Sequence, residues 1–385
     1  MRKVNTILLA GILLRIPFLF SEPILSDDYH RFIWDAKLTV ETDIHPYQYR
    51  PEELKEMADP FYIRNADLYE KLNSKSYYSV YGPLNQFLFQ LPVVLSKHPK
   101  TQLFIFHLLI LIAEILFFFL LQKMQTHSEN RFSPLAIYFL NPLVIVELCG
   151  NLHFEGWSIL LLFSALFYLR KAKLLPMILY WIAAITMKFI PLLVLPFVRH
   201  YLSWKQSFLS GLSIILLSGI IMYGYAGEYL LGWTKSLGLF VQQFEFNASF
   251  HYLIRGTGNQ LLGFNPLLYT GPVLLGFLCI FLVYLALRKP KNTLVGLYAS
   301  ILVFFTFYYG FSSIVHPWYL IPLLAFAALL ELKSFWWWTT LSFLSYSFYS
   351  YGEGEAYYIY IGLEYILFVI LLFSERKSLI SYLKK

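Results

Sequence analysis

Cysteine is nearly missing from this 385-residue chain: there are two, Cys149 and Cys279. Both fall inside apolar runs, so no disulfide framework is implied and the redox compartment stays open. Charge is scarce as well. Asp, Glu, Lys and Arg make up 14% of the residues, against 58% hydrophobic and 19% aromatic, where a soluble domain carries about a quarter charged residues. A water-soluble globule is excluded. No Gly/Ser linker, low-complexity tract or soluble extramembrane stretch interrupts the chain, which reads as a single membrane domain over residues 1–385. A glycine-rich nucleotide-binding loop is also missing. The formal charge of +7 lies in short basic clusters between apolar runs, a topology signal and not a phosphate-binding stripe, so nucleic acid is not a partner.

What is present is apolar length. Runs at residues 5–20, 102–121, 133–149, 154–169, 174–187, 189–198, 206–226, 264–287, 293–310, 317–330, 335–349 and 356–373 recur from end to end. A hydrocarbon core roughly 30 Å thick needs about 20 apolar residues. The expectation is an all-α polytopic membrane protein with about twelve transmembrane helices. The first run follows Met1-Arg2-Lys3 and has the outline of a signal peptide, but Arg15 interrupts it and no small-x-small cleavage site follows, so it reads as an uncleaved span.

Segment 82–96 is ambiguous between a span and a surface helix, and the distribution of positive charge decides. As a surface helix, it leaves Lys123, Arg131, Arg170, Lys171, Lys173, Arg199, Lys205, Arg288, Lys289, Lys291, Lys333 and the C-terminal basic residues on the cytoplasmic side. The short connections 150–153, 311–316 and 350–355, which contain no Lys or Arg, then lie outside. Both termini are cytoplasmic, and 174–187 with 189–198 become two short helices meeting near Lys188. Two large external loops follow, 21–101 and 227–263. The expected location is the plasma (inner) membrane.

This topology gathers polar residues on the external face. Asp27 and Asp28 follow Ser26, a good N-cap, and would occupy the first turn of a helix, where acids are favoured. Taken alone they would be capping residues, but Arg31 and Asp35 continue the same charged face at the membrane boundary, where unpaired charge is costly. His153 and Glu155 end a span. They do not share a helix face, and no further ligand lies at metal spacing, so a divalent metal is possible but unsupported and no cofactor is expected. Lys188 lies between apolar half-helices and should snorkel or bind an anion. Arg255, in the second large loop, suits either a lipid headgroup or a substrate phosphate. His316, opening a span before Pro317, reads as an interfacial or a functional histidine. The Phe335-Trp336-Trp337-Trp338 run reads as a cytoplasmic interface belt, and Asn247-Ala248-Ser249 matches the glycosylation pattern only as chance allows.

Several stretches occur in order: Asp27-Asp28-Tyr29-His30-Arg31-Phe32-Ile33-Trp34-Asp35, His45-Pro46-Tyr47, Tyr81-Gly82-Pro83-Leu84, Asn141-Pro142-Leu143 through Gly150-Asn151-Leu152-His153, Met187-Lys188-Phe189 with Pro191, and His316-Pro317-Trp318-Tyr319. The set resembles the GT-C superfamily of integral-membrane glycosyltransferases, in its bacterial mannosyltransferase-like branch, over roughly residues 1–320. Two departures stand out. His153-Phe154-Glu155 replaces the more usual His-Asn-Asp, and Tyr81-Gly82-Pro83-Leu84 replaces Tyr-Pro-Pro-Leu.

The resemblance implies transfer of a hexose, mannose first, from a polyprenyl-phosphate sugar donor to a hydroxyl of a lipid or glycan acceptor, with inversion. It makes Asp27 the general base, with Asp28 held by Arg31 beside it. Arg31, His153, Glu155, Lys188, Arg255 and His316 would then bind substrate, and the cations among them would meet the leaving phosphate. The alternative is a non-enzymatic flippase or transporter of lipids or lipid-linked sugars. Such a protein should show internal repeats or paired broken spans, and no convincing repeat is present.

Overall fold

The computed structural model describes residues 2–125, 133–242, 245–288 and 294–384; Arg131, Lys289 and Lys291 of the charge pattern lie outside them. The described residues are almost wholly helical, with one isolated parallel bridge, between Phe246 and Ile314. Six helical stretches are long and apolar enough to cross a membrane: Lys3–Phe20, Pro99–Met124, Trp204–Ser236, Tyr269–Leu287, Leu294–Phe311 and Glu355–Ser374. Pro142–Gly150 and Glu155–Arg170 together make a seventh, bent by 114°. Wide apolar faces remain uncovered, with Phe208, Ile220, Val273, Ile280, Ile366 and Phe373 each more than 60% exposed, as lipid contact requires. This is a multi-pass membrane protein.

Twelve apolar runs do not become twelve long helices, and proline supplies the physical reason. Pro142, Pro191 and Pro317 each stand in the first turn of a helix, where their missing N–H is harmless. Pro142 and Pro191 each start a new short helix within an apolar run, and Pro317 opens one at the head of its run. Leu174–Met187, Ile190–His200 and Pro317–Leu329 are apolar but short. The 335–349 run divides into Lys333–Leu341, a 3-10 turn Ser342–Ser347 and Phe348–Tyr351. The aromatic run inside it is not simply an interface belt. Phe335 and Trp338 are buried, Trp338 stacks on Phe368 with ring centres 3.9 Å apart, and its indole N–H donates to Glu364 at 3.0 Å. Asn247 is fully buried against Glu364 and the Tyr357 hydroxyl, so it is not a surface acceptor for a glycan.

The segment between the first two long helices is folded. Short helices Asp28–Glu41, Pro51–Glu56, Pro60–Arg64 and Ala66–Glu70 enclose a small core of Trp34, Leu38, Leu54, Phe61, Tyr69 and Leu72. Pro83–Leu95 packs against Asp28–Glu41 and Pro99–Met124. It is not among the helices long and apolar enough to be spans.

Arg15, which breaks the apolarity of the first run, is completely buried. Its guanidinium grips Glu114 of the next long helix through two bonds, 2.6 and 2.9 Å, and donates to the Gly11 and Phe139 carbonyls at 2.8 and 2.9 Å. The Cys149 thiol donates to the same carboxylate at 3.0 Å. Both cysteines are free. Removing one partner of such a pair strands the other charge, at a cost of about 3–5 kcal/mol. Glu114→Ala should therefore melt well below the parent in detergent, and adding Arg15→Met should recover part of the loss. A double variant less stable than Glu114→Ala would show that the pair is not what holds the first helix.

Candidate active site

The first large loop is fastened by a buried charge network. Arg31 donates to Asp35 at 2.7 Å and to the Ser74 and Tyr77 carbonyls, each at 2.9 Å, while Gln86 donates to the other Asp35 oxygen at 3.0 Å. This corrects the expectation that Arg31 holds Asp28. A buried guanidinium needs several acceptors at once, and Asp35 with two carbonyls supplies them on the side that clamps residues 74–79 to the Asp28–Glu41 helix. Arg31 builds the scaffold under the acids.

That helix begins at Asp28, one residue later than a Ser26 cap would give. The Ser26 hydroxyl accepts the Asp28 N–H at 3.3 Å, and Asp27 flanks the helix start without capping it by its side chain. The Asp27 carboxylate is exposed and makes no hydrogen bond or ion pair among the described residues. Asp28 is half-buried and accepts one bond from the Asn73 amide at 3.0 Å. Burial pushes its carboxyl above the ordinary value. The charges of Glu155 and Asp27 push the same way, while the Asn73 bond and the Lys188 ammonium oppose them.

Facing the acids is the break between Pro142–Gly150 and Glu155–Arg170. Leu152 adopts φ +61° there, a left-handed turn that a leucine takes only under tertiary constraint. The turn buries His153 and sets Glu155 as the first residue of the next helix. Glu155 forms an ion pair with Lys188, so Lys188 is not the lone ammonium its apolar flanks suggest. Lys188 ends the Leu174–Met187 helix, with its ammonium 4.8 Å from the centre of the Tyr319 ring. Gly82 lets the first loop pass this point: a Cβ there would collide with the Thr186 carbonyl oxygen. The departure from Tyr-Pro-Pro-Leu thus coincides with a close backbone approach.

His153 and His316 both stack on Trp318, with centroids 3.7 and 4.3 Å away. Burial and the nearby Lys188 charge hold the His316 imidazole below its ordinary value, so it acts as a neutral hydrogen-bonding group and not as a cation. Arg255 lies elsewhere. It pairs with Glu245, donates to the Tyr358 hydroxyl at 3.0 Å and approaches Glu353 at 3.9 Å. The structure thus brings Asp28 together with Glu155, Lys188, His153 and His316, sets Asp27 beside Asp28 in the chain, and gives Arg255 its own acidic cluster. Among the described residues no three His, Cys, Asp or Glu groups could hold a metal ion.

One neighbour was missed in the sequence. Glu147, fully buried, accepts from the Tyr346 hydroxyl at 2.5 Å and from Asn151 at 3.1 Å, and lies 3.4 Å from His153 Nε2. An acid inside an apolar run was the available signal.

A family described as alpha-(1->6)-mannopyranosyltransferase, N-terminal domain (MptA_B family), matches residues 2–203. The chain belongs to this family. The match spans just over half of the sequence and includes the acids of the site, His153 and Lys188, but not His316, Trp318, Tyr319 or Tyr346; the likeness to mannosyltransferases read from the ordered motifs is borne out. No curated protein matches the chain.

A carboxyl held above its ordinary value binds its proton more readily in the folded than in the unfolded state. It therefore withdraws stability as pH rises past the ordinary value of 3.8 and through the raised one. Relative to the mannosyltransferase-family parent, Asp28→Asn should melt higher at neutral pH, with the difference closing below pH 3.8. A difference independent of pH would show that the acid carries no such strain.

Proposed function

We propose that this member of the mannosyltransferase family moves mannose from a polyprenyl-phosphate sugar donor to a hydroxyl of a lipid or glycan acceptor, with inversion, at the external face of the plasma membrane. Within a mannosyltransferase family, the observation that carries the reading is Asp28, with the exposed Asp27 next to it in the chain, close to the Glu155–Lys188 ion pair beside two stacked imidazoles. The family description suggests a mannose 6-hydroxyl as the acceptor. The chain would cross the membrane about twelve times with both termini cytoplasmic, in the manner of GT-C enzymes.

A sugar hydroxyl is a poor nucleophile until its proton has somewhere to go. The exposed, unbonded Asp27 carboxylate is the group able to take it as the acceptor oxygen bonds to the anomeric carbon. On the opposite face the bond from that carbon to the phosphate oxygen breaks, and the polyprenyl phosphate leaves with the electron pair. One displacement inverts the centre. The growing phosphate charge would draw Lys188, about a third exposed beside its partner Glu155, and the phosphate would accept a hydrogen bond from the N–H of the neutral His316 imidazole. Arg255 could assist only by giving up Glu245. Asp28, on the Asn73 amide, borders the same space and orients the sugar.

Asp27→Asn keeps the shape but cannot accept the proton. Turnover with polyprenyl-phosphate mannose should fall roughly 10²–10⁴-fold, with donor binding little changed, and Asp28→Asn should lose less. Full activity in both variants would sink the reading. The orientation has its own check, in intact cells, in a background lacking Cys149 and Cys279. A cysteine at the exposed Glu353 should react with an impermeant maleimide, whereas one at the exposed Lys171 should react only after permeabilisation. The reverse pattern would put the site on the cytoplasmic side.

A further inference from the structure

Glu147 occupies the one π-helical turn among the described residues, Ile145–Gly150. Such a turn inserts a residue into an α-helix and is frequent at functional sites. Its carboxylate is fully enclosed and has no cation bonded to it. Tyr346 donates to one oxygen; Asn151 donates to the other, and the same Asn151 side chain accepts the Leu25 N–H at 3.2 Å, just ahead of the acid pair. The remaining neighbour is His153, whose Nε2 lies 3.4 Å from the second oxygen and is buried without any hydrogen-bond partner. A buried polar nitrogen left idle is costly, and here it borders a carboxylate that can accept its proton in a hydrogen bond.

The geometry points to Glu147 as a positioning residue for His153. Holding hydrogen on Nε2 toward Glu147 makes Nδ1 the imidazole's acceptor atom, in the way a carboxylate behind a histidine fixes its tautomer. A neutral His153 stacked on Trp318 then offers a lone pair to a substrate hydroxyl, and Glu147 keeps the ring from turning over. The Tyr346 bond adds a consequence: the family match ends at residue 203, so this carboxylate is a second tie, beside the stacking of Trp318 on His153, between the later half of the chain and the first-half site. The inference rests on the glycosyltransfer reading, since it gives His153 a substrate to meet.

A purely structural Glu147, acting through Asn151 and Leu25, would not depend on the identity of residue 153. Coupling between the two residues separates the roles. In proteoliposomes of the full chain, with polyprenyl-phosphate mannose as donor and an alkyl α-mannoside as acceptor, E147Q should lower kcat/KM by about 10- to 100-fold. In an H153Q background the same change should cost less than about threefold. Equal losses in both backgrounds overturn the assignment, as does a fully active E147Q. Should E147Q fail to fold, E147D, with its charge on a shorter arm, replaces it: a loss confined to the His153 background supports the assignment, and an equal loss in both overturns it. If Asp27→Asn and Asp28→Asn are both fully active, the glycosyltransfer reading falls and this inference with it. If they are dead while E147Q and H153Q act independently, only the assignment of Glu147 falls.

Discussion

A guanidinium shut away at the depth of a membrane has to find every acceptor within the protein, and Arg15 does so. Its bonds to Glu114 join the first helix to the second long one, and its bonds to Gly11 and Phe139 occupy both N–H groups of Nη1. The wider constraint is that lipid supplies no hydrogen bonds. Glu364 meets it at one carboxylate oxygen, with the Trp338 indole and the Asn247 amide, and in the buried interior of the first large loop Arg31 meets the same need with Asp35 and two carbonyls. Arg15, Glu364 and Arg31 therefore each tie together segments that are far apart in sequence. Packing among apolar side chains alone, with lipid as an equally good solvent, would not fix those segments so specifically.

The same constraint concentrates the chemistry. Helices that break inside an apolar run expose carbonyls and N–H groups that need partners, so breaks are tolerated only where protein surrounds them. The turn at residues 151–154, the end of the helix at Lys188 and the loop before Pro317 are three such breaks, and their side chains converge on one another. The first large loop, with a small core of its own, brings Asp28 to this junction and fastens to it through the Leu25 N–H, which donates to Asn151. A strained Leu152 and an acid raised above its ordinary value both lie here, local costs in stability that fit the proposed site.

Much of this was legible in the sequence, and for physical reasons. Apolar run length and scarcity of charge determined a multi-pass helical membrane protein, because only helices or closed barrels satisfy the backbone in lipid. The order of local motifs determined the mannosyltransferase likeness, because backbone turns and their flanking residues are local in sequence. Asp27 and Asp28 were recognisable as acids placed where charge is costly. Apart from the Arg31–Asp35 pair, one helical turn apart, tertiary structure decided the partners. Helical spacing put Arg31 beside Asp28, but its guanidinium reaches acceptors 43 and 46 residues away. An apolar setting made Lys188 look solitary, but Glu155 meets it across 33 residues. Arg255 and Lys188 look interchangeable as cations, and only packing puts them in different clusters. Glu147 gained its place through Tyr346, 199 residues on. Run length is a property of neighbours along the chain, whereas the pairing of charges depends on which distant segments the fold brings within 3 or 4 Å, and no local pattern encodes that distance.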